Sequence, residues 1–411
     1  MMKQLIIIIA ALFAVASWSS ATPEEDQIVA QLKQEIVKDL KDNILANWAK
    51  HSPDPSGGFY GYLNYAWTPR EGAAKGGILN ARLVWTFSAA YRMLGDEQYL
   101  TLANRAQRYF IDHFIDKEYG GSYYTLTAAG APLDSSKQSY QNAFAIYGLS
   151  EHYRATGNQE SLDAAIAIYR KMIEHAWDPV HGGFIESFTR EWKMIDIPYP
   201  KQMNNNLHCL EALTNLYRVW KDEGLRKYLR EEIDVMSHKV LNQKRWHEEL
   251  FFTMDWVNQR DIDSYGHDIE FSWLLVEAAE VLGDEEILKD TERIAVNVAR
   301  VQLEEGIDAN GAMMYEKTDG HLDTRLSWWP QNETVVGFLN AWHLSGERKY
   351  LDAAVRNWEW IKKYMIDYEY GEWYGNVSAD LQPQRRGVKA DQWRCPYHNT
   401  RMGLEVMTRF P

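Results

Sequence analysis

The segment Gly120-Gly121-Ser122-Tyr123-Tyr124 decides the fold, because versions of it recur along the whole chain. The other versions are Gly57-Gly58-Phe59-Tyr60, Gly182-Gly183-Phe184, Glu248-Glu249-Leu250-Phe251-Phe252, Gly311-Ala312-Met313-Met314-Tyr315 and Gly371-Glu372-Trp373-Tyr374. Between their first residues the successive steps are 63, 62, 66, 63 and 60 residues. A period of this size indicates a repeated supersecondary unit. Six such units predict a closed ring with room for a site at its centre.

Each interval between these segments predicts two helices joined by a tight turn. The helix before the turn, such as 81–93, is apolar on nearly every side and is expected to be buried, whereas the one after it, such as 98–113, is one-sided and is expected to face water. Glycine at the turn suits the left-handed residue that ends a helix. The turn glycines are Gly95, Gly157, Gly224, Gly283 and Gly346. An outer-type helix over 24–48 and an inner-type helix over 398–410 complete the set.

These twelve helices predict an (α/α)6 barrel, with six inner helices ringed by six outer ones and short β-hairpins at one mouth. No linker interrupts the repeat, which predicts a single catalytic domain over 22–411. The chain has only two cysteines, Cys209 and Cys395, and two in 411 residues do not form a disulfide framework.

Residues 1–21 predict a cleavable export signal. Lys3 precedes the apolar run 5–16, and small residues follow as far as Ala21. The apolar run is too short for a comfortable membrane span. We therefore expect cleavage near Ala21 and an exported protein, periplasmic or secreted, with no membrane span in its mature form. The formal net charge of −14 disfavours nucleic acid as a partner.

Counting back from the turn glycines predicts that the inner helices deliver polar side chains to one rim of the barrel. His208 lies 16 residues before Gly224, and His267 lies 16 residues before Gly283. The last inner helix opens at His398. Histidine is the side chain whose ordinary pKa suits it to act as base or acid near neutral pH. Three histidines at one rim therefore favour proton-transfer chemistry.

Four longer stretches around these positions combine histidine, glutamate, asparagine and tryptophan. They are Lys201-Gln202-Met203-Asn204-Asn205-Asn206-Leu207-His208, Ser264-Tyr265-Gly266-His267-Asp268-Ile269-Glu270, Trp328-Trp329-Pro330-Gln331-Asn332-Glu333 and Trp393-Arg394-Cys395-Pro396-Tyr397-His398-Asn399. Together they resemble motifs of the N-acylglucosamine 2-epimerase superfamily, and within it most resemble the cellobiose 2-epimerases. The resemblance covers essentially the whole chain after the export signal. It implies an (α/α)6 fold, no cofactor and no metal, and reversible inversion of C2 in the reducing-end sugar of a β-1,4-linked disaccharide or oligosaccharide such as cellobiose or mannobiose.

The resemblance also implies roles for individual residues. His267 and His398 are the implied acid–base pair, and Glu270 and His208 are implied to assist them. The implied sugar-binding residues are Arg82, Tyr140, Asn204, Trp328, Trp329, Glu333 and Trp393. Trp393 is implied to stack on the second sugar unit, and both Trp328 and Trp329 suit the other stacking position.

The chemistry independently suits these residue types. Epimerisation at C2 requires ring opening, removal of the proton next to the aldehyde, and return of a proton to the opposite face. A two-base site supplies one histidine on each side of the enediol, and Arg82 is suited to stabilise the negative charge that develops. Glu270, one helical turn from His267, is expected either to orient that ring or to help open the sugar.

Three other functions stay open. Relatives acting on monosaccharides, N-acylglucosamine 2-epimerase and mannose isomerase, share the enediol chemistry. An (α/α)6 glycoside hydrolase needs two carboxylates that flank the scissile bond, for which Glu270 and Glu333 are candidates, although the three histidines would then have no task. A non-catalytic sugar-binding protein would need the aromatic residues alone. We expect the protein to be a monomer or a weak homodimer.

Overall fold

The computed structural model describes residues 21–410, and it confirms the predicted (α/α)6 barrel. The predicted export signal lies outside the described residues apart from Ala21. Within 21–410, no helix is both long enough and apolar enough to cross a membrane. In chain order the helices are α1 (Pro23–Asp39), α2 (Ala46–His51), α3 (Gly77–Leu94), α4 (Glu97–Tyr109), α5 (Ser139–Thr156), α6 (Gln159–His175), α7 (Met203–Val219), α8 (Glu223–Val235), α9 (Tyr265–Leu282), α10 (Glu285–Val301), α11 (Trp328–Ser345), α12 (Arg348–Trp360) and α13 (Tyr397–Thr408).

The inner ring consists of α3, α5, α7, α9, α11 and α13, each packed against the next, and α13 packs against α3 to close it. A π-helical turn over Leu40–Leu45 joins α1 and α2 into the first outer helix. The burial follows the sequence prediction. In α3 every residue of 77–90 is buried, whereas α10 buries a single stripe that includes Ile294, Val298 and Val301.

Short antiparallel strand pairs link the repeats at the mouth where the inner helices begin. The strands are β1 (Leu63–Asn64), β2 (Lys75–Gly76), β3 (Thr125–Leu126), β4 (Pro132–Asp134), β5 (Lys137–Gln138), β6 (Ser187–Phe188), β7 (Lys201–Gln202), β8 (Leu241–Asn242), β9 (His247–Glu248), β10 (Phe251–Phe252), β11 (Ile262–Asp263), β12 (Glu316–Thr318), β13 (His321–Asp323), β14 (Leu326–Ser327), β15 (Asn376–Val377) and β16 (Val388–Ala390). Hairpins account for β3–β4, β8–β9 and β12–β13. The remaining described pairs join neighbouring repeats: β2–β3, β5–β6, β7–β10, β11–β12, β14–β15 and, closing the ring, β16–β1. The predicted hairpins are thus present, but most of the described strand pairs join neighbouring repeats.

Four of the five predicted turn glycines end an inner helix in the left-handed conformation, at Gly95, Gly157, Gly283 and Gly346. The prediction for Gly224 is wrong. Helix α7 ends at Val219, and the extended Trp220 follows it. The side chain of Asp222 then caps α8 by accepting a hydrogen bond from Leu225 N at 2.9 Å, so Gly224 lies inside α8. This repeat makes its turn without a left-handed glycine.

In four inner helices the fourth residue forms a hydrogen bond with the glycine-aromatic segment that precedes that helix in the sequence. Its side-chain oxygen accepts a hydrogen bond from a backbone N–H of that segment. The pairs are Asn142 with Ser122 (2.9 Å), Asn206 with Phe184 (2.7 Å), Asp268 with Glu248 (2.6 Å) and Gln331 with Met313 (2.9 Å). The glycine-containing segments make this bond through their third residue, whereas the variant makes it through Glu248, its first, so residues 246–248 occupy the equivalent place in the fold. These bonds hold the loops of the mouth in register with the helices.

In four repeats a buried ion pair joins an aspartate just before the glycine-aromatic segment to a lysine of the strand that precedes the next inner helix. The pairs are Lys75 with Asp54 (2.6 Å), Lys137 with Asp116 (2.9 Å), Lys201 with Asp178 (2.7 Å) and Lys389 with Asp367 (2.7 Å). Lys201 Nζ also donates to the carbonyl oxygens of Gly182 and Met254, at 2.8 and 2.7 Å. One ammonium group therefore connects two successive repeats.

The Lys201→Met substitution should destabilise the barrel strongly. It leaves the buried Asp178 carboxylate without its cation, and breaking a buried pair in this way costs about 3–5 kcal/mol. The measurement is the free energy of unfolding in a chemical denaturant. Lys38→Met is the matched control, because Lys38 pairs with Asp42 at the surface, where both side chains are exposed, and its removal should leave stability nearly unchanged. Equal losses of unfolding free energy in the two variants would contradict the stabilising role of the Lys201–Asp178 pair.

Candidate active site

A cavity of about 360 Å³ opens at the mouth where the inner helices begin. This volume is in the range of small-molecule sites. Ten of the eleven predicted site residues line it: Arg82, Tyr140, Asn204, His208, His267, Glu270, Trp328, Trp329, Trp393 and His398. Four residues that the sequence analysis did not select complete the lining: Tyr315, Arg325, Ser327 and Asn376. The eleventh predicted residue, Glu333, lies outside the lining.

The inner helices deliver these side chains at two depths. His267 is the third residue of α9, at the rim. Arg82, His208 and Glu270 are each the sixth residue of their helices, about one turn further into the barrel. The prediction that His208 and His267 occupy equivalent positions is therefore wrong. That prediction placed His208 by counting residues back from Gly224, and Gly224 does not end α7.

His398 is held from behind by Glu333. The His398 Nδ1 atom lies 2.6 Å from Glu333 Oε1, and Glu333 Oε2 accepts a hydrogen bond from Trp273 Nε1 at 3.1 Å. Because a carboxylate oxygen accepts, we assign the ring proton to Nδ1, which leaves Nε2 as the base. Burial, together with the positive charges of Arg401 and Arg82, lowers the pKa of His398 well below its ordinary value. Glu333 thus orients a histidine and does not occupy the predicted sugar-contacting place.

His267 is held by a different partner. Its Nδ1 lies 2.7 Å from Ser264 Oγ, at the residue that precedes α9. Burial, and to a lesser degree the nearby His208, lowers the pKa of His267 to about 3. The neutral imidazole, which is the form that accepts a proton, therefore prevails at physiological pH. Ser264 escaped the sequence analysis, although its spacing of three residues from His267 is a usable signal.

The two adjacent tryptophans have different surroundings. The Trp329 ring lies close to both histidines, with its centre 4.5 Å from that of His267 and 5.6 Å from that of His398. Trp328 instead has the Arg394 guanidinium 4.2 Å from its ring centre. Trp393 is 50% exposed at the outer part of the cavity. Trp329 is therefore the one of the pair that lies against the predicted acid–base residues.

Arg82 is a rigid cation in the cavity wall. Its Nη2 donates to the Tyr140 hydroxyl at 2.7 Å, and its guanidinium carbon lies 4.2 Å from the ring centre of Phe144. Its Nη1 is 3.4 Å from the Trp393 carbonyl oxygen and 3.9 Å from the sulfur of Cys395, which, like Cys209, is a buried free thiol. Neighbouring Tyr and Cys groups raise the pKa of Arg82 despite its burial. The charge is therefore permanent and fixed in place, as the stabilisation of a developing anion requires.

Beneath the cavity lies a buried cation, Arg401, that the sequence analysis missed. Its guanidinium binds Glu211 at 2.6 Å and Glu333 at 2.7 Å, and it also contacts Glu270. Glu211 in turn contacts the Tyr397 hydroxyl and lies 2.9 Å from His208 Nδ1. Arg401 follows His398 by three residues, and Glu211 follows His208 by three. That spacing puts each pair on one helix face and was a readable signal.

Glu270 faces this cation and not His267. Its Oε1 contacts Arg401, whereas its Oε2 is buried and has no partner among the described residues. Burial and the neighbouring Glu333 raise the pKa of Glu270 to about 7. Both protonation states are therefore populated near neutral pH, which suits a group that takes up and returns a proton. The expectation that Glu270 orients His267 is not met, since Ser264 does so.

Ligand atoms of Glu270, Glu333 and His398 lie within 4.8 Å of one another, the spacing of a metal-binding group. Both carboxylates already bind the Nη2 atom of Arg401 through their Oε1 atoms. A metal cation at this place would meet the guanidinium charge. The donor set consequently fits a proton-transfer network better than a metal site.

Comparisons with known proteins agree with this arrangement. A family model described as N-acylglucosamine 2-epimerase (GlcNAc 2-epimerase) matches residues 58–400. A cellobiose 2-epimerase of Bacteroides fragilis is 45% identical over 387 residues, spanning 92% of this chain and 98% of its own length. Another from Ruminococcus albus is 38% identical over 388 residues, spanning 91% and 98%. The solved structure of cellobiose 2-epimerase from Bacillus thermoamylovorans matches with a TM-score of 0.89 at 38% identity, covering 92% of this chain and 100% of that one.

Proposed function

The chain belongs to the N-acylglucosamine 2-epimerase family, and from that membership we propose that it inverts C2 of the reducing-end sugar of β-1,4-linked disaccharides, cellobiose foremost. It is an isomerase that acts on carbohydrate, and cellobiose 2-epimerases match it over nearly their whole length. One observation carries the proposal. His267 and His398 line the same cavity from α9 and α13, each held through Nδ1, and the Trp329 ring lies close to both.

Ring opening comes first. The hemiacetal hydroxyl gives its proton to a base while the ring oxygen receives one, so that the C1–O5 bond breaks and an aldehyde forms. We assign the base to ionised Glu270, whose Oε2 is unpartnered in the described structure. The second proton transfer is assigned to His208, which lines the same cavity and is held by Glu211.

Proton transfer at C2 follows. One neutral histidine removes the C2 proton, and the electron pair moves into the C1–C2 bond, so that negative charge collects on the aldehyde oxygen. The fixed guanidinium of Arg82 is suited to stabilise that oxygen. The other histidine, which has taken up a solvent proton on its free ring nitrogen, gives that proton to the opposite face of C2. Ring closure then yields the epimer, and the first histidine releases the proton it removed to solvent. We assign the two transfers to His267 and His398.

Aromatic rings provide the sugar contacts. Their flat apolar faces stack on sugar C–H groups, while the polar groups fix orientation. We assign Trp329 to the reducing-end unit, because it touches both histidine rings, and Trp393 to the second unit, because it stands half exposed at the outer part of the cavity. Tyr140 and Asn204 complete the sugar-binding set.

The test is incubation of the purified protein with cellobiose, mannobiose, mannose and an N-acylglucosamine, followed by separation of the products. The proposal predicts conversion of a disaccharide into its C2 epimer with unchanged mass, and much slower turnover of the monosaccharides. Preferred turnover of mannose or of the N-acylglucosamine would contradict the assigned substrate class. Release of monosaccharides from cellobiose would contradict the reaction type.

Hydrolysis does not suit the carboxylates of this site. Glu270 and Glu333 both bind the Nη2 atom of Arg401, and Glu333 lies behind His398, outside the cavity lining. A hydrolase needs its two carboxyl groups on either side of the scissile bond. The geometry therefore favours epimerisation over a glycosidase reaction.

We also propose that the protein is exported and acts on oligosaccharides outside the cytoplasm. The support is the apolar run 5–16 after Lys3, with small residues up to Ala21. Mass spectrometry of the protein recovered from the periplasm or medium of cells that express the full chain tests this. We expect a mature chain that begins near Thr22. Recovery of the uncleaved chain from the cytosol alone would contradict export.

A further inference from the structure

One guanidinium group connects three carboxylates from three inner helices. Arg401 of α13 is 1% exposed, and its Nη1 binds Glu211 of α7 at 2.6 Å. Its Nη2 is shared between Oε1 of Glu333, at 2.7 Å, and Oε1 of Glu270. The guanidinium lies behind the cavity and is absent from its lining. It therefore acts on a bound sugar only through other side chains.

Each of these carboxylates is itself part of the site or holds a member of it. Glu333 Oε1 binds His398 Nδ1 at 2.6 Å, and Glu211 Oε2 binds His208 Nδ1 at 2.9 Å. Glu270 lines the cavity directly. Of the four groups assigned to proton transfer, Arg401 thus contacts Glu270 directly and reaches His398 and His208 through one carboxylate each.

We propose that Arg401 is the positioning residue of this site: its charge, shared between Glu270 and Glu333, allows both carboxylates to be ionised together, so that Glu270 acts as the ring-opening base while Glu333 holds His398. Two carboxylates that share a site cannot both ionise near neutral pH without a compensating charge. The inference rests on the proposed epimerase function, whose reaction provides the readout.

The surroundings of Glu270 support this role. The titratable and charged groups that act on it from the neighbouring elements are Glu333, Arg401, His208, Tyr140, Tyr397 and Glu248, and a ring nitrogen of His398 lies within 4.8 Å of its carboxylate. Glu333 raises the pKa of Glu270, and Arg401 and His208 lower it. Arg401 is the permanent cation of this set. Without it, the proton on Glu270 should be lost only at higher pH.

The experiment compares the pH dependence of kcat/KM for epimerisation in four proteins: wild type, Arg401→Met, Arg401→Lys and Arg409→Met. Arg409 is the matched control, because it is a largely buried arginine, with 12% of its side chain exposed, directly after α13, and it binds Glu405, Glu277 and Glu280 at the far end of the barrel. For wild type we expect kcat/KM to rise with pH through about 7, as Glu270 loses its proton. In Arg401→Met the midpoint of that rise should move upward by at least about one pH unit, with a loss of at least about fivefold at pH 7. In Arg401→Lys the midpoint should lie close to the wild-type value, since lysine restores the positive charge.

A merely structural role would give a different pattern. If Arg401→Met lowers kcat/KM by one factor at every pH, or if Arg409→Met moves the midpoint equally, the inference is overturned. Should Arg401→Met fail to fold, Arg401→Gln takes its place, because it keeps hydrogen-bond donors for the carboxylates but carries no charge. A midpoint displaced upward then supports the role, and a midpoint that stays at the wild-type value overturns it. An inactive wild-type protein would overturn the proposed function itself, which separates the two failures.

Discussion

The His398→Asn variant is expected to lose epimerisation of cellobiose by about 10³-fold, the range that removal of a general acid–base group produces. The physical reason is the loss of Nε2, the ring nitrogen that Glu333 leaves available by holding Nδ1 at 2.6 Å. Asparagine retains an N–H donor that can meet Glu333, so the buried carboxylate keeps a partner and the fold should persist. The measurement is the initial rate of appearance of the C2 epimer, with circular dichroism and thermal unfolding to verify the fold.

His152→Asn is the matched control for this variant. His152 is a buried histidine of α5, held between Ser161 Oγ at 2.8 Å and Asn104 Oδ1 at 3.0 Å, and it does not line the cavity. Its replacement should lower the melting temperature and leave the epimerisation rate close to that of wild type. A folded His398→Asn protein that keeps more than about one tenth of the wild-type rate would remove His398 from its assigned role.

The His267→Asn variant should separate proton exchange from epimerisation. Two bases on opposite faces of the enediolate each act on the C2 proton of one epimer only. Without His267, epimerisation should fall by about 10³-fold as well, yet the epimer whose C2 proton faces His398 should still exchange it with solvent. The His398→Asn variant should still exchange the C2 proton of the other epimer with solvent.

The measurement is loss of the C2 proton signal by NMR in D2O, started separately from cellobiose and from its C2 epimer. Each variant should exchange one starting sugar, and the two variants should differ in which one. Exchange of the same sugar by both variants would indicate that a single base serves both faces, which contradicts the two-base arrangement.

The repeat made the fold predictable from the sequence. The glycine-aromatic segments and the turn glycines recur at nearly constant spacing, and the alternation of all-apolar with one-sided helices distinguishes inner from outer positions. The location of the site could also be predicted, because all inner helices begin at one mouth, where their first residues converge. The turn after α7 was the exception: it uses Trp220 and an aspartate cap, so counting from Gly224 misplaced His208 by about one helical turn.

The network beneath the cavity was harder to predict. Arg401 meets Glu270 and Glu333 across the barrel, over separations of 131 and 68 residues, and such contacts depend on how far each helix slides along its neighbours. For the same reason the sequence did not predict that Glu333, implied to bind the sugar, lies behind His398 and contacts its Nδ1 atom. The choice between Trp328 and Trp329 likewise required the positions of Arg394 and of the two histidine rings.

The most direct test of the central claim is NMR of cellobiose incubated in D2O with the purified protein. The two-base epimerase predicts that the C2 epimer appears, that deuterium accumulates at C2, and that the glycosidic linkage stays intact. Free monosaccharides without deuterium at C2, or a C2 proton that remains unchanged at high protein concentration, would contradict it.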